Sequence, residues 1–89
     1  MIIANPVSVT ADGVAKTGPG ILWAVVLYAA SADATLVLYD NTAASGTVLV
    51  KLATKAGTSV AFTPAVGVTF AIGVYADISG TDAQATIIL

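Results

Sequence analysis

Apolar stretches and clusters of turn residues alternate along this chain at intervals of about ten residues, the spacing expected of short strands. The breaks are "TADG" (10–13), "TGPG" (17–20), "SADA" (31–34), "DNTAASG" (40–46), "KAG" (55–57), "TPAVG" (63–67) and "DISGTD" (77–82). Between them Val, Ile, Thr and aromatic residues predominate, the types that suit a pleated, half-buried surface. Alanine is abundant and would favour helix, but only residues 21–30 run for ten positions without a breaker. That run carries Ile21, Trp23, Val25, Val26 and Tyr28 and reads as a strand. The pattern predicts an all-β fold: one domain over residues 1–89, a compact antiparallel β-sandwich of about 6–8 short strands, jelly-roll-like or another Greek key.

Alternation then assigns faces. In "VTFAIGVY", Val68, Phe70, Ile72 and Val74 share one side and read as core, with Thr69, Ala71, Gly73 and Tyr75 opposite. Val48, Val50 and Leu52 share a side with Lys51 opposite, and Val7 and Val9 flank an outward Ser8. By contrast, "ILWAVVLY" and "TLVLY" are apolar at both parities. A strand apolar on both sides lies in a sheet covered on both sides. With no helix to supply the second cover, another chain is expected there. The interface candidates are Ile21, Leu22, Trp23, Val26, Tyr28, Leu36, Leu38, Tyr39 and Tyr75.

Composition strengthens that expectation. The chain is 57% hydrophobic and only 9% charged, where about 25% charged is typical. A domain of this size hides only about 60% of its unfolded surface, so apolar surface should remain outside and mark an interface. A mean hydropathy of +0.95 raises the question of a membrane. The longest apolar run, Ile21 to Ala30, is half the length of about 20 residues that a spanning helix needs. The chain is also too short for a single-chain barrel of at least about eight strands. "MIIANPVSV" has no basic n-region, so no signal peptide is expected. With no Cys there is no disulfide framework. The net charge of −2, with Lys16, Lys51 and Lys55 scattered and no Arg, argues against a nucleic-acid partner, which needs clustered cations.

The missing residue types narrow the chemistry further. His, Cys, Glu and Arg are all absent, which removes the usual acid/base and nucleophile pairings. "ADISGTD" differs from the Asp-Thr/Ser-Gly of aspartic proteases because Ile78 intervenes between Asp77 and Ser79. No enzyme activity and no cofactor are expected. Asp77, Ser79 and Asp82, or Asp40 with Asn41, offer oxygen ligands for calcium, but the EF-hand pattern with its closing Glu is missing. The simpler role of Asp40, Asn41, Asp77 and Asp82 is to cap tight turns by bonding nearby backbone amides. Trp23, Tyr28, Tyr39 and Tyr75 suggest either a sugar-stacking platform or interface aromatics. "TGPG" lacks the helix and the Lys-Ser/Thr pair of a phosphate loop. "LYDNTAASGT" and "VYADISGT" share an aromatic strand end, an Asp and Ser-Gly-Thr, as hairpin ends do.

The order of segments is a further guide. A Gly-Pro-Gly turn (Gly18 to Gly20) leads into an apolar strand. A strand ending in Tyr39, Asp40 and Asn41 follows, with a Ser45-Gly46 turn, and then a strand with Gly67, Phe70, Gly73 and Tyr75. Over about residues 17–89 this resembles small accessory virion proteins of tailed bacteriophages. The resemblance implies a capsid decoration or cement protein, with the major capsid protein and further copies of itself as partners, trimers being favoured. It places the chain in the virion after synthesis in the host cytoplasm. A tail or fibre adhesin binding host glycans and a self-assembling structural subunit are the alternatives. The resemblance supplies no catalytic residue.

Overall fold

The computed structural model describes residues 6–89; the first five, part of the stretch read as lacking a leader, lie outside it. Ten strands follow in order: β1 (Pro6–Val9), β2 (Gly13–Thr17), β3 (Gly20–Leu22), β4 (Ala24–Tyr28), β5 (Ala34–Asp40), β6 (Thr47–Thr54), β7 (Ser59–Phe62), β8 (Val68–Phe70), β9 (Gly73–Ser79) and β10 (Gln84–Ile88). There is no helix among the described residues, and so none long and apolar enough to cross a membrane.

The pairing has a simple logic. β5 and β6 form an antiparallel hairpin, and outward from it β4 pairs β7, β3 pairs β8, β2 pairs β9 and β1 pairs β10. The chain is therefore one long antiparallel ribbon doubled back at residues 41–46. Two further pairings, β10 with β4 and β9 with β5, roll the ribbon upon itself. The result is a four-stranded sheet β1-β10-β4-β7, facing a four-stranded sheet β2-β9-β5-β6, with β3-β8 as a short connecting ribbon. Two four-stranded sheets in this order make a jelly-roll sandwich. Eight strands form the two layers, and the corner ribbon brings the number to ten.

The core lies between the sheets. Val25, Leu27 and Ile87 from the first sheet meet Leu36, Leu38 and Val74 from the second, all fully buried, and Leu22 and Phe70 of the corner ribbon close one end. No buried residue is polar or charged among those described. The thinnest extent of the molecule is 17 Å, room for two sheets about 10 Å apart and no third layer. Among the described residues no element covers either outer face.

Several face assignments change. Leu22, Leu36 and Leu38, expected at an interface, are core residues with no exposure. Residues 21–30 are not one strand. The chain switches from the corner ribbon to the first sheet at Trp23, whose N–H donates to the Ile88 carbonyl at 2.8 Å. Leu22 and Val25, three apart, both point inward, a break in parity that a uniformly apolar sequence conceals. Ile72 is half exposed because residues 71 and 72 form the bend between β8 and β9. Val48 also points outward. A bulge makes Leu49 an extra residue, so that Leu38 pairs Val50 but Tyr39 pairs Val48. Finally, β9 continues to Ser79, which puts Asp77 on a strand face and not in a turn.

Close backbone approach explains one glycine. Gly73 is buried where β9 meets β2, and a Cβ there would stand 2.5 Å from the Lys16 carbonyl oxygen. At Gly13, in contrast, a Cβ would meet nothing within 4 Å. Gly73→Ala should therefore lower stability by about 1–3 kcal/mol, the usual cost of overpacking. Gly13→Ala should stay within about 0.5 kcal/mol of the parent. Urea unfolding followed by tryptophan fluorescence measures both; equal effects would contradict this packing.

Candidate functional site

The polar segment 40–46 is the tip of the doubled ribbon. The Asn41 side-chain amide donates to the Ser45 carbonyl at 3.0 Å, while its Oδ1 accepts from Thr42 N at 2.7 Å. Gly46 takes φ 92°, where a side chain would be strained. Asn41 therefore turns the tip. Asp40 serves a different segment: its carboxylate accepts from Ile72 N at 2.9 Å, from Ala71 N at 3.1 Å and from Gly73 N at 3.4 Å. It holds the β8–β9 bend, more than thirty residues away in sequence. The bond from Ile72 N, then that from Ala71 N, holds the Asp40 carboxyl below the ordinary aspartate range.

Other aspartates act in the same way. Asp12 Oδ1 accepts from Ile78 N at 2.8 Å, and Asp33 Oδ1 accepts from Ala56 N at 2.9 Å. Asp33 also pairs with Lys55 at 3.4 Å. The amide of Ala56 foremost, then Lys55, holds the Asp33 carboxyl below its ordinary range. Asp82 lies in the β9–β10 connection with φ 57°. Of the residues expected to cap nearby amides, Asn41 does so, whereas Asp40 bonds distant amides instead, and Asp77 makes no such bond among the described residues. Among the described residues no three His, Cys, Asp or Glu come together as metal ligands.

The four expected aromatics do not form one platform. Tyr39 and Tyr75 are direct neighbours on β5 and β9, half-buried on the outer face of the second sheet. Tyr28 lies on the outer face of the first sheet, with Val26 beside it. Trp23 lies at the corner, against the backbone of Gly67 together with Ile21. Two shallow depressions occur elsewhere. One, of about 230 Å³, is lined by Asp33, Thr35, Thr54 and Lys55, and one of about 210 Å³ by Val7, Lys16 and Leu89. Neither adjoins the tyrosine pair.

The two outer faces differ in charge. None of the strands β1, β4, β7 and β10 carries a charged residue. Register places Ser8, Thr86, Val26 and Ala61 in one outward row across that sheet, with Gln84, Tyr28 and Ser59 in the next. Every charged side chain sits on the second sheet or in a connection. On the second sheet, Val14, Tyr75, Tyr39 and Val48 form an outward row across all four strands. The adjacent row is Asp77, Val37 and Lys51. Sequence reasoning named Val26, Tyr28, Tyr39 and Tyr75 as interface residues but not Val14, Val37, Val48, Lys51 and Asp77, which only strand register gathers around Tyr39 and Tyr75.

Asp40 generates a pH prediction. A carboxyl held low in the folded state stabilises fully above its unfolded value and loses that contribution as pH falls through the folded one. Thermal stability should therefore decline below about pH 4, and Asp40→Asn should flatten that decline while lowering stability at neutral pH. Melting temperatures from pH 2 to 7 test this; parallel profiles for the two proteins would remove Asp40 as a cause.

No protein-family model matches the chain, and neither curated proteins nor solved structures give a match.

Proposed function

We propose that this chain is a non-enzymatic structural protein of a virion, a decoration or cement protein that docks across neighbouring capsid subunits. The observation that carries the reading is the charge-free outer face of the first sheet. Charged groups are depleted at the cores of protein interfaces, because burying them costs more than it returns. A face of Val26, Tyr28, Ala61, Gln84 and small hydroxyl residues carries no charge to be stripped of water, yet no element among the described residues covers it. The jelly-roll architecture is shared by viral shell and lectin domains, so it accords with the reading without specifying it.

The mechanism is linkage. A ligand that binds the assembled shell and not its free subunits stabilises the shell by its own binding free energy. Repetition over a symmetric surface lets modest contacts act together. Self-association would extend the docking face across several subunits. The adhesin alternative has less support, because the Tyr39–Tyr75 pair lies in an unbroken sheet row away from both depressions.

Empty capsid shells of the virus that encodes the chain provide the test. The purified protein should co-sediment with them and raise their melting temperature. Val26→Asp should leave the isolated protein folded, since Val26 is 40% exposed, but weaken shell binding about a hundredfold, because an unpaired charge buried at an interface costs several kcal/mol. Shells that neither bind the parent protein nor gain heat resistance from it would defeat the proposal.

A further inference from the structure

We propose that the outer face of the second sheet is a two-fold contact with a second copy of this chain, centred on Val37. This deepens the assembling role proposed above and rests on it.

Several charged residues already have partners within the fold. Asp12, Asp33 and Asp40 are bonded to backbone amides, and Lys55 is paired with Asp33. Asp77 and Lys51, the two charges on the outward side of the second sheet, have no ionic partner among the described residues. They flank one residue: Val37 is the register partner of Asp77 on β9 and of Lys51 on β6. Strands lie about 4.8 Å apart, so Asp77 and Lys51 stand about 10 Å apart across Val37, both projecting outward, with no ion pair between them.

A second copy satisfies both. In an isologous contact, where one residue meets a second on the other copy, the second meets the first in return. Place a two-fold axis in the plane of the face, along β5 and through Val37. Rotation about it brings the second copy's Val37 over Val37, its Lys51 over Asp77 and its Asp77 over Lys51. The neighbouring row follows the same operation: Tyr39 meets Tyr39, and Tyr75 meets Val48. Packed sheets lie about 10 Å apart, a gap that a lysine stem and an aspartate carboxylate together bridge. Sheets stacked with strands aligned cross at about −30°, which disturbs register least near the axis, where these rows lie.

The charge pattern also selects the partner. A generic apolar ligand would leave Asp77 and Lys51 unpaired on drying, a penalty that the chain's own copy removes twice per contact. The first sheet's charge-free face has no such code, so the two outer faces are assigned different partners. Only a few hundred Å² per copy is covered, below the roughly 800 Å² per partner of a standard stable interface. The pair is therefore weak in isolation and becomes effective when copies are concentrated on a surface.

Charge exchange tests this. By sedimentation equilibrium up to about 1 mM, a concentration suited to so small an interface, the parent protein should approach twice the 8.8 kDa chain mass. Asp77→Lys and Lys51→Asp should each weaken association tenfold or more, and the double variant should recover to within a few-fold of the parent. As a measurement that does not depend on those variants folding, Val37→Cys in this cysteine-free chain should give paired chains with a short bis-maleimide, and Ser8→Cys on the opposite sheet should not. A parent protein that stays monomeric, or a double variant no better than the single ones, overturns the inference. Shell binding by Asp77→Lys distinguishes the two proposals: it should persist if only the self-contact is lost.

Discussion

Because the chain is a single ribbon of two antiparallel strands, both strands must turn at the same places. The ribbon passes from one sheet to the other, then through the corner pair β3-β8, then to the first sheet and back to the second. At each passage two connections lie side by side, and each leaves backbone amides without ladder partners, groups that have to be satisfied somewhere. The aspartates meet that need: Asp12 beside the β9–β10 connection, Asp40 at the β8–β9 bend, and Asp33 at the β6–β7 connection. Each bonds an amide on the other strand of the ribbon, so each ties two distant segments into one corner. At the remaining corner the junction is apolar, with Trp23 and Ile21 lying against Gly67. A fold assembled from pairings so far apart in sequence gains from such cross-ties, because loop-closure entropy has to be met before long-range contacts form.

This arrangement explains the distribution of charge. A small sandwich has one thin core and two outer faces, and in a soluble protein both faces would ordinarily be dressed with Lys, Glu, Asp and Arg. Here the few charges are drawn to the corners, where backbone needs them, and the first sheet has none. Asp77 and Lys51, on the outward side of the second sheet, are placed symmetrically about Val37. What looks like a shortage of polar residues in the composition is, in three dimensions, a division of labour among corner, bare face and coded face.

The sequence made the strands, the turns and the all-β class legible, because punctuation by Gly, Pro, Asp and Asn is local chemistry. It also showed the inward faces of Val7 and Val9 and of Phe70 and Val74, where alternation is clean. Three features were hidden for a common reason. At Trp23 and at Leu49 the parity of the chain shifts, at residues 71 and 72 a bend turns Ile72 outward, and apolar residues stand on both sides of each. Period-two reasoning needs polar residues to mark the outward side; without them Leu22, Leu36 and Leu38 read as well for an interface as for a core. The partners of Asp40 were hidden for another reason, since a hydrogen bond spanning more than thirty residues leaves no local signal.

The same reasoning bears on how the faces should be interpreted. Apolar surface alone says only that drying is cheap, and any partner of suitable shape would serve. Specificity requires features that penalise the wrong partner. On the first sheet, Val26 and Tyr28 are surrounded by hydroxyl and methyl groups and the Gln84 amide, so selectivity there has to come from shape and neutral hydrogen bonds. On the second, Asp77 and Lys51 penalise every partner that lacks the opposite charges at the same spacing. A ribbon that pairs residues by register creates that spacing automatically, since one central strand, β5, fixes the positions of its neighbours on both sides. The pairing that builds the fold thereby also writes a self-complementary pattern on its outer surface.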